Sequence, residues 1–499
     1  MSLFTKVVLG IVAAIIVIAA LAIGLFITFN VVTALFDPNY IDPQKIVACS
    51  ASSVCSLAWP VGFGVIFVLI VITGFAYTTL LERKFIAYFQ ARVGPNRVGP
   101  LGLLQPAADA VKLIFKEDII PDQADKAIYY LAPMLKVIPA LIVLAVVPIG
   151  PHILLPWFDG FYYNVPLGLA DVNVGVLWLL AITSIGTYGI TLAGWSSNNK
   201  YAMLGGLRAT AQMISYELSL GLAMAVPVMI VGSMSIGDII RAQTYIQDWF
   251  VFQNPLAAGI LILTLFAEVS RAPFDLVEAE QELTAGFMTE YSGMKFAMFM
   301  MAEYLGMIGV AVIVSSLYFG GYNLFFVEQA PILGPLFLIG KVVVILIFFI
   351  WVRATVPRIR YDRLMALGWK VLIPLSLLAV TWTAVATVIG DSSDNPLVYT
   401  LVSGIFFVLI VAGGFFFLRD QGDGVTQEGE ASDLADDPMI SGERRGAGWI
   451  AINLLGGLIA VPFKLVEGLI GLLERVEKAG QSNNSDEKAI VPKNTTGGD

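Results

Sequence analysis

The chain has 499 residues, of which 58% are apolar and only 13% charged, with a formal net charge of −9. Soluble proteins are about 25% charged, so this composition excludes an ordinary soluble enzyme, and the acidic balance argues against a nucleic-acid partner. Two cysteines and one histidine are too few for an iron–sulfur cluster or a Cys/His zinc site, and a haem would depend on a methionine or His152.

Long uncharged or nearly uncharged runs predict an all-α polytopic membrane protein with about ten transmembrane helices. Each run can supply the roughly 20 residues that a helix needs to cross a bilayer. A buried core helix could explain one such run but not all of them. The runs are 7–36, 57–81, 137–158, 172–199, 218–237, 249–267, 296–319, 329–352, 371–390 and 397–418.

Lysine and arginine are concentrated in alternate loops, which predicts that these loops face the cytoplasm and that both termini are inside. The first run is about twice as long as the apolar core of a signal peptide, which favours a retained anchor. Cys49 and Cys55 then lie in the first outer loop. At this stage a disulfide and two free thiols both remain open.

The first cytoplasmic loop contains an amphipathic pattern over residues 104–115. Leu104, Ala107, Ala108, Val111, Ile114 and Phe115 recur at helical spacing, with Asp109, Lys112 and Lys116 on the other face. This pattern predicts a helix along the membrane interface. It could be a surface anchor, or the floor of a lateral opening for a lipid-like molecule.

Carboxylates gather where the sixth run meets the cytoplasm. Neighbouring like charges in an apolar setting cannot all ionise easily, so the pKa values of some of these carboxyl groups should be raised. A site that stores or passes protons requires such raised pKa values. Intramembrane charges mark ion or proton pathways unless they form structural ion pairs. The clustered acids are Glu268, Asp275, Glu278, Glu280 and Glu282, around Arg271, and the further charges within spans are Glu217, Glu303 and Lys341.

Several motifs in order resemble the H subunit of bacterial NADH–quinone oxidoreductase, respiratory complex I, whose mitochondrial counterpart is the first mitochondrially encoded membrane subunit. The resemblance covers about residues 57–390. Its motifs are Glu82-Arg83-Lys84, Gly94-Pro95-Asn96-Arg97-Val98-Gly99, Trp195-Ser196-Ser197-Asn198-Asn199-Lys200-Tyr201, the acidic loop 271–283, Glu290-Tyr291-Ser292-Gly293-Met294-Lys295, and Arg353-Ala354-Thr355 followed by Arg360-Tyr361-Asp362.

The resemblance implies a subunit without a redox cofactor that forms the membrane side of the quinone chamber, with ubiquinone or menaquinone as substrate. NADH, FMN and Fe–S clusters would be bound by partner subunits of the peripheral arm. Other partners would be adjacent small membrane subunits and lipids in a prokaryotic plasma membrane. The implied quinone-channel residues are Arg83, Asp109, Arg271, Phe274 and Asp275, and the implied proton relay is Glu217, Glu268, Glu278, Glu280, Glu282 and Glu303; Lys341 joins this relay as an intramembrane charge.

This chain departs from the family pattern at both ends and at Ser184, where some relatives carry a glutamate. The predicted organisation has five parts. Residues 1–56 form an extra transmembrane helix with an outer loop, 57–390 the family core of eight helices, 391–418 a further helix, 419–446 an acidic disordered linker, and 447–499 an interfacial amphipathic helix with a polar tail.

Three alternatives remain open. The nearest is the related membrane subunit of a proton-pumping membrane-bound hydrogenase or formate hydrogenlyase, which lacks a quinone. A stand-alone cation transporter would favour internal repeats around a midplane site, and no convincing repeat is found. A purely structural anchor leaves the intramembrane carboxylates unexplained.

Overall fold

A computed structural model describes residues 46–156, 161–276, 285–324, 327, 331–393 and 404. Helices dominate this part of the chain. In chain order they are α1 Ser53–Phe89, α2 Gln105–Ile114, α3 Lys126–Ile142, α4 Gly175–Ser196, α5 Lys200–Val231, α6 Ile236–Arg241, α7 Phe250–Gln253, α8 Pro255–Glu268, α9 Gly293–Tyr318, α10 Leu333–Thr355, α11 Tyr361–Ala366 and α12 Ile373–Ser393.

Seven segments of the described chain are long and apolar enough to cross a membrane. A shorter apolar helix, Pro255–Glu268, matches the sixth predicted run. The predicted helix 7–36, the acidic linker and the C-terminal amphipathic helix lie outside the described residues, as does the run 397–418 apart from Gly404. The seven segments are Cys55–Phe89, Lys126–Val146, Gly175–Ser196, Lys200–Val231, Gly293–Tyr318, Leu333–Thr355 and Tyr361–Gly390.

Two helices begin earlier than their apolar runs. The side chain of Asp125 accepts a hydrogen bond from the backbone N–H of Ala127 and caps α3, and Asn199 caps α5 in the same way through Tyr201. The predicted starts at 137 and 218 each follow a charged residue, Lys136 or Glu217, and the helices continue through these residues toward the N-terminus. Lys136 therefore lies within a membrane span.

A small sheet is an addition to the predicted all-α fold. Strands β1 Ile46–Ala48, β2 Gly150–Pro156 and β3 Tyr162–Leu167 have the order β1-β3-β2. β1 is parallel to β3, whereas β2 is antiparallel to it. The second half of the third apolar run thus forms a strand, because a short apolar segment interrupted by proline suits a strand as well as a helix.

A disulfide bond joins Cys49 and Cys55. It ties the short turn that follows β1 to the first turns of α1. This observation settles the choice that the sequence left open between a disulfide and two free thiols.

Glycines allow the central helices to approach closely. A Cβ added at Gly194 of α4 would lie 2.6 Å from the carbonyl oxygen of Ala202 in α5 and 3.2 Å from the Cα of Gly206. Small residues permit such backbone contacts between membrane helices. Helix α5 also packs against α8 and α12, so the side chains of its inner face point into the middle of the bundle.

Candidate functional site

Arg271 is the centre of a buried ionic cluster. Its guanidinium lies 3.5 Å from Oε1 of Glu82 and pairs through Nε with Glu303. The same group stacks over the ring of Tyr304, 4.3 Å from the ring centroid. Arg271, Glu82 and Glu303 are each less than 10% exposed, and a pair of charges buried to this degree is retained only when partners compensate the loss of water.

Glu82 extends this cluster to helix α10. Its carboxylate pairs with Arg353, which lies at the end of that helix, 271 residues along the chain. Glu82 belongs to the motif Glu82-Arg83-Lys84 but is not among the site residues predicted from the sequence. Successive residues of a helix point about 100° apart, so sequence does not reveal which of three adjacent charges faces the core.

A cavity of about 100 Å³ lies beside the Arg271 cluster. Glu303, a member of that cluster, lines the cavity, and so does Val269, which also lies next to Arg271. Glu268, at the end of α8, also lines this cavity. Its Oε2 is buried and has no hydrogen-bond partner among the described residues. The volume is enough for several water molecules, and the carboxylates supply the polar partners that buried water needs.

Lys136 of α3 lines the same cavity. Its charge interacts electrostatically with Glu268 and with Glu303. Lys136 is not among the site residues predicted from the sequence, because the third apolar run begins one position after it. The available signal was Asp125, a helix-capping residue about 11 positions upstream.

Glu217 and Ser184 connect α5 with α4. The hydroxyl of Ser184 hydrogen-bonds to Oε1 of Glu217, and Glu217 interacts electrostatically with Glu268. The predicted relay residues Glu217, Glu268 and Glu303 are thus brought to one region. Ser184 contacts this group directly through Glu217.

The loop after α8 is held by Gln212, a residue that is not among those predicted from the sequence. Gln212 is fully buried, and its Nε2 donates to the carbonyl oxygens of Ala267 (2.9 Å) and Phe274 (3.0 Å). Phe274 packs against the ring of Tyr216, with 5.9 Å between centroids. Asp275 lies 3.5 Å from Arg358, so this loop is also tied to the segment after α10.

Arg83 of α1 and Asp109 of α2 form an ion pair that is separate from the Arg271 cluster. Their closest N–O distance is 2.6 Å, and both side chains are partly exposed. The pair joins α1 to α2, the helix found where the amphipathic pattern predicted one. None of the residues of α2 is buried; its position at a membrane interface stays a prediction.

Lys341 has a different environment from the predicted relay carboxylates. Its Nζ donates to the carbonyl oxygens of Phe319 (2.6 Å), Gly321 (2.8 Å) and Asn323 (2.7 Å). The ammonium also lies 4.4 Å from the ring centroid of Trp249. Lys341 therefore binds the carbonyl-rich end of α9, whereas Glu303 belongs to the first half of that helix.

Glu278, Glu280 and Glu282 complete the predicted relay but lie outside the described residues. Their assignment stays a prediction. The described part of the acidic loop ends at Leu276, one residue after Asp275.

The start of α9 and the loop before it are held by an ion pair and by stacked aromatic rings. Lys295 pairs with Asp118 at 2.8 Å and lies over the ring of Tyr129, 4.7 Å from its centroid. The ring of Tyr129 stacks on Tyr291 with 4.2 Å between centroids. Burial raises the pKa of Tyr291 to about 12, so this phenol keeps its proton and donates to the backbone oxygen of Tyr129.

Within the described ranges, no group of three or more His, Cys, Asp or Glu side chains could hold a metal ion. The site consists instead of ion pairs and a mainly apolar cavity, lined also by a few charged side chains, between helices that are long and apolar enough to span a bilayer. These features define a multi-pass helical membrane protein with a buried ionic network.

Comparison with known proteins identifies the family. The profile of the NADH dehydrogenase family matches residues 63–384. An NADH-quinone oxidoreductase H subunit from Geobacter metallireducens is 48% identical over 315 residues, which cover 63% of this chain and 92% of the relative. The H subunit from Deinococcus deserti is 49% identical over 318 residues (62% and 79%), and that from Dehalococcoides mccartyi 41% over 355 residues (70% and 94%).

The chain belongs to the H-subunit family of NADH-quinone oxidoreductase, a membrane component of respiratory complex I. The resemblance stated from the motifs is thereby confirmed. The family makes other subunits of that complex the partners of this chain.

Proposed function

We propose that this chain forms the quinone-access chamber of a proton-pumping NADH-quinone oxidoreductase, at the junction with the peripheral arm. It would couple quinone reduction to proton translocation through buried carboxylates. Partner subunits would bind NADH, FMN and the Fe–S clusters, so this chain would contribute to the enzyme without a redox centre of its own. The complex would lie in a prokaryotic plasma membrane with both termini of this chain in the cytoplasm.

One observation carries the proposal: the charged side chains form a continuous series through the bundle. Arg353 pairs with Glu82, Glu82 lies beside Arg271, and Arg271 pairs with Glu303. Glu303 faces the cavity that Glu268 also lines. A proton added at one carboxylate changes the balance of the next pair, because charges at these distances interact strongly in a poorly solvated interior.

The quinone side of the proposal is supported by the contact between α1 and α2. Arg83 and Asp109 are polar and partly exposed, whereas Leu104, Val111 and Phe115 present apolar side chains at the same helix. A quinone has a polar headgroup and an apolar tail, and this surface offers both kinds of contact. The loop with Arg271, Phe274 and Asp275 would flank the path.

The proposed proton relay comprises Glu217, Glu268 and Glu303, continued by Glu278, Glu280 and Glu282. Glu217 is linked to the other two through Ser184 and its interaction with Glu268. Lys341 would act at the other end of α9, where it binds the carbonyl oxygens that follow the helix.

Replacement of Glu303 tests the proposal. In Glu303→Gln the shape is kept but the carboxylate is lost, and we expect NADH-driven quinone reduction and proton pumping to fall by at least about tenfold, equivalent to ~1.4 kcal/mol. Both activities are measured in inverted membrane vesicles that contain the assembled complex. The control is Asp122→Asn, a similar change in an exposed loop; normal pumping in Glu303→Gln would contradict the relay.

A further inference from the structure

Lys136 is a partly exposed charge within a candidate membrane span, and the family motifs do not explain it. It lies about ten residues into α3, or about 15 Å along the helix, and lines the cavity with Glu268 and Glu303. No direct hydrogen bond or ion pair of Lys136 is found among the described residues. Gly186 of α4 lies beside the side chain, because a Cβ added there would be in van der Waals contact with the Lys136 ammonium, at 3.8 Å.

This environment differs from that of the other intramembrane cations. Arg271 and Arg353 are held by carboxylates, and Lys341 is held by three backbone carbonyl oxygens. Lys136 has two carboxylates within electrostatic range and adjoining empty space. A lysine side chain has a flexible four-carbon stem and three donor protons, so the ammonium can approach either carboxylate without a change in the helices.

The balance of charges around the cavity indicates why a mobile cation matters for proton transfer. In the described part of the site, four carboxylates (Glu82, Glu217, Glu268, Glu303) accompany three cations (Lys136, Arg271, Arg353). One bound proton makes the group neutral, and a buried net charge is costly. When a proton moves from one carboxylate to another, a cation that moves in the opposite direction keeps the newly charged carboxylate paired.

We propose that Lys136 is a further member of the proton path, a tethered cation that alternates between Glu268 and Glu303. The inference rests on the proposed function. When the O–H bond on Glu303 breaks and one forms on Glu268, the ammonium moves from Glu268 to the newly charged Glu303. Lys136 stays protonated throughout, so the step transfers one proton and leaves the net charge unchanged.

The test compares three variants of the whole complex in inverted vesicles. Lys136→Met keeps the length of the side chain but removes its charge, and Lys136→Arg keeps the charge. Lys126→Met makes the first substitution at an exposed position of the same helix. We measure the amount of assembled complex, quinone reduction and protons pumped per electron.

The proposal expects protons per electron to fall at least about tenfold in Lys136→Met, to recover largely in Lys136→Arg, and to stay normal in Lys126→Met. A purely structural role predicts less assembled complex but normal protons per electron in what remains, and that result would overturn the proposal. If Lys136→Met does not assemble, the charge-balanced variant Lys136→Met/Glu268→Gln is used. That variant is expected to assemble without pumping, and normal pumping by it would also overturn the proposal.

The outcome for Glu303→Gln separates the two proposals. If Glu303→Gln stops pumping but Lys136→Met pumps normally, the relay stands and the assignment of Lys136 is wrong. If Glu303→Gln itself pumps normally, the proposed function fails first.

Discussion

At the scale of single residues, the surroundings decide what a buried charge can do. Lys341 and Lys136 are the same residue type within membrane spans. Three carbonyl oxygens hold the first ammonium, whereas the second faces a cavity between two carboxylates. Carbonyl oxygens keep the same charge during a proton transfer, so nothing draws the Lys341 ammonium away from them. The charge of a carboxylate changes when it gains or loses a proton, so on our proposal the Lys136 ammonium moves toward whichever carboxylate is charged.

Arg271 provides a prediction about stability. Arg271→Gln leaves Glu82 and Glu303 buried without their shared cation, and breaking such a buried pair costs about 3–5 kcal/mol. We expect a clear drop in the thermal stability of the purified complex, with part of it restored in Arg271→Gln/Glu303→Gln. Arg363→Gln, at an exposed position, serves as the control. Equal losses in the single and double variants would show that this charge imbalance is not the cause.

At the scale of elements, close helix packing positions the charged side chains. Helix α5 meets the loop before α9 where a Cβ on Gly205 would lie 2.6 Å from the Cα of Gly286. About two turns further along α5, on the same face, Gln212 holds the loop with Arg271 and Phe274. The spacing of the backbones therefore determines where the ionic cluster lies.

Gly205→Ala tests this packing. The added methyl group meets backbone atoms that cannot rotate away, so we expect a loss of about 1–3 kcal/mol in the stability of the complex. The matched change Gly259→Ala in α8 adds a methyl group with no atom within 4 Å, and alanine is favoured over glycine in a helix by about 1 kcal/mol. Thermal denaturation should show opposite signs for the two variants, and similar shifts would contradict the packing argument.

At the scale of the whole molecule, the distribution of lysine and arginine predicts the orientation in the membrane. Between the apolar runs, segments rich in lysine and arginine alternate with segments nearly free of them. Translocating positive charge outward is disfavoured during insertion, so the basic loops are expected on the cytoplasmic side. The sheet formed by β1, β2 and β3 would then lie on the outer side.

Single cysteines test this orientation. The native cysteines are joined in a disulfide and do not react with a maleimide. A membrane-impermeant maleimide should label Asn173→Cys in intact cells and Lys126→Cys only in inverted vesicles. Labelling of Asn173→Cys from the cytoplasmic face would reverse the predicted topology.

The sequence by itself determined that the chain is a membrane protein with the motifs of the H-subunit family. The mean hydropathy of a segment is read from consecutive residues and does not depend on which helices pack against it. The family motifs are also runs of consecutive residues. For the same reason the sequence located eight of the predicted runs approximately, with errors at α3 and α5, where a charged residue inside the helix ends the apolar run. The pairing of Asp109 with Arg83 could not be read from either residue alone.

Only the tertiary structure decided which charges meet. Glu82 and Arg271 are 189 positions apart, and Lys136 faces the same cavity as Glu303 from another helix. The three-stranded sheet also depends on pairing between distant segments. Such contacts depend on the angle and spacing of packed helices and on strand register, which no local sequence pattern encodes. These contacts bring charges that are scattered along the chain into one connected group.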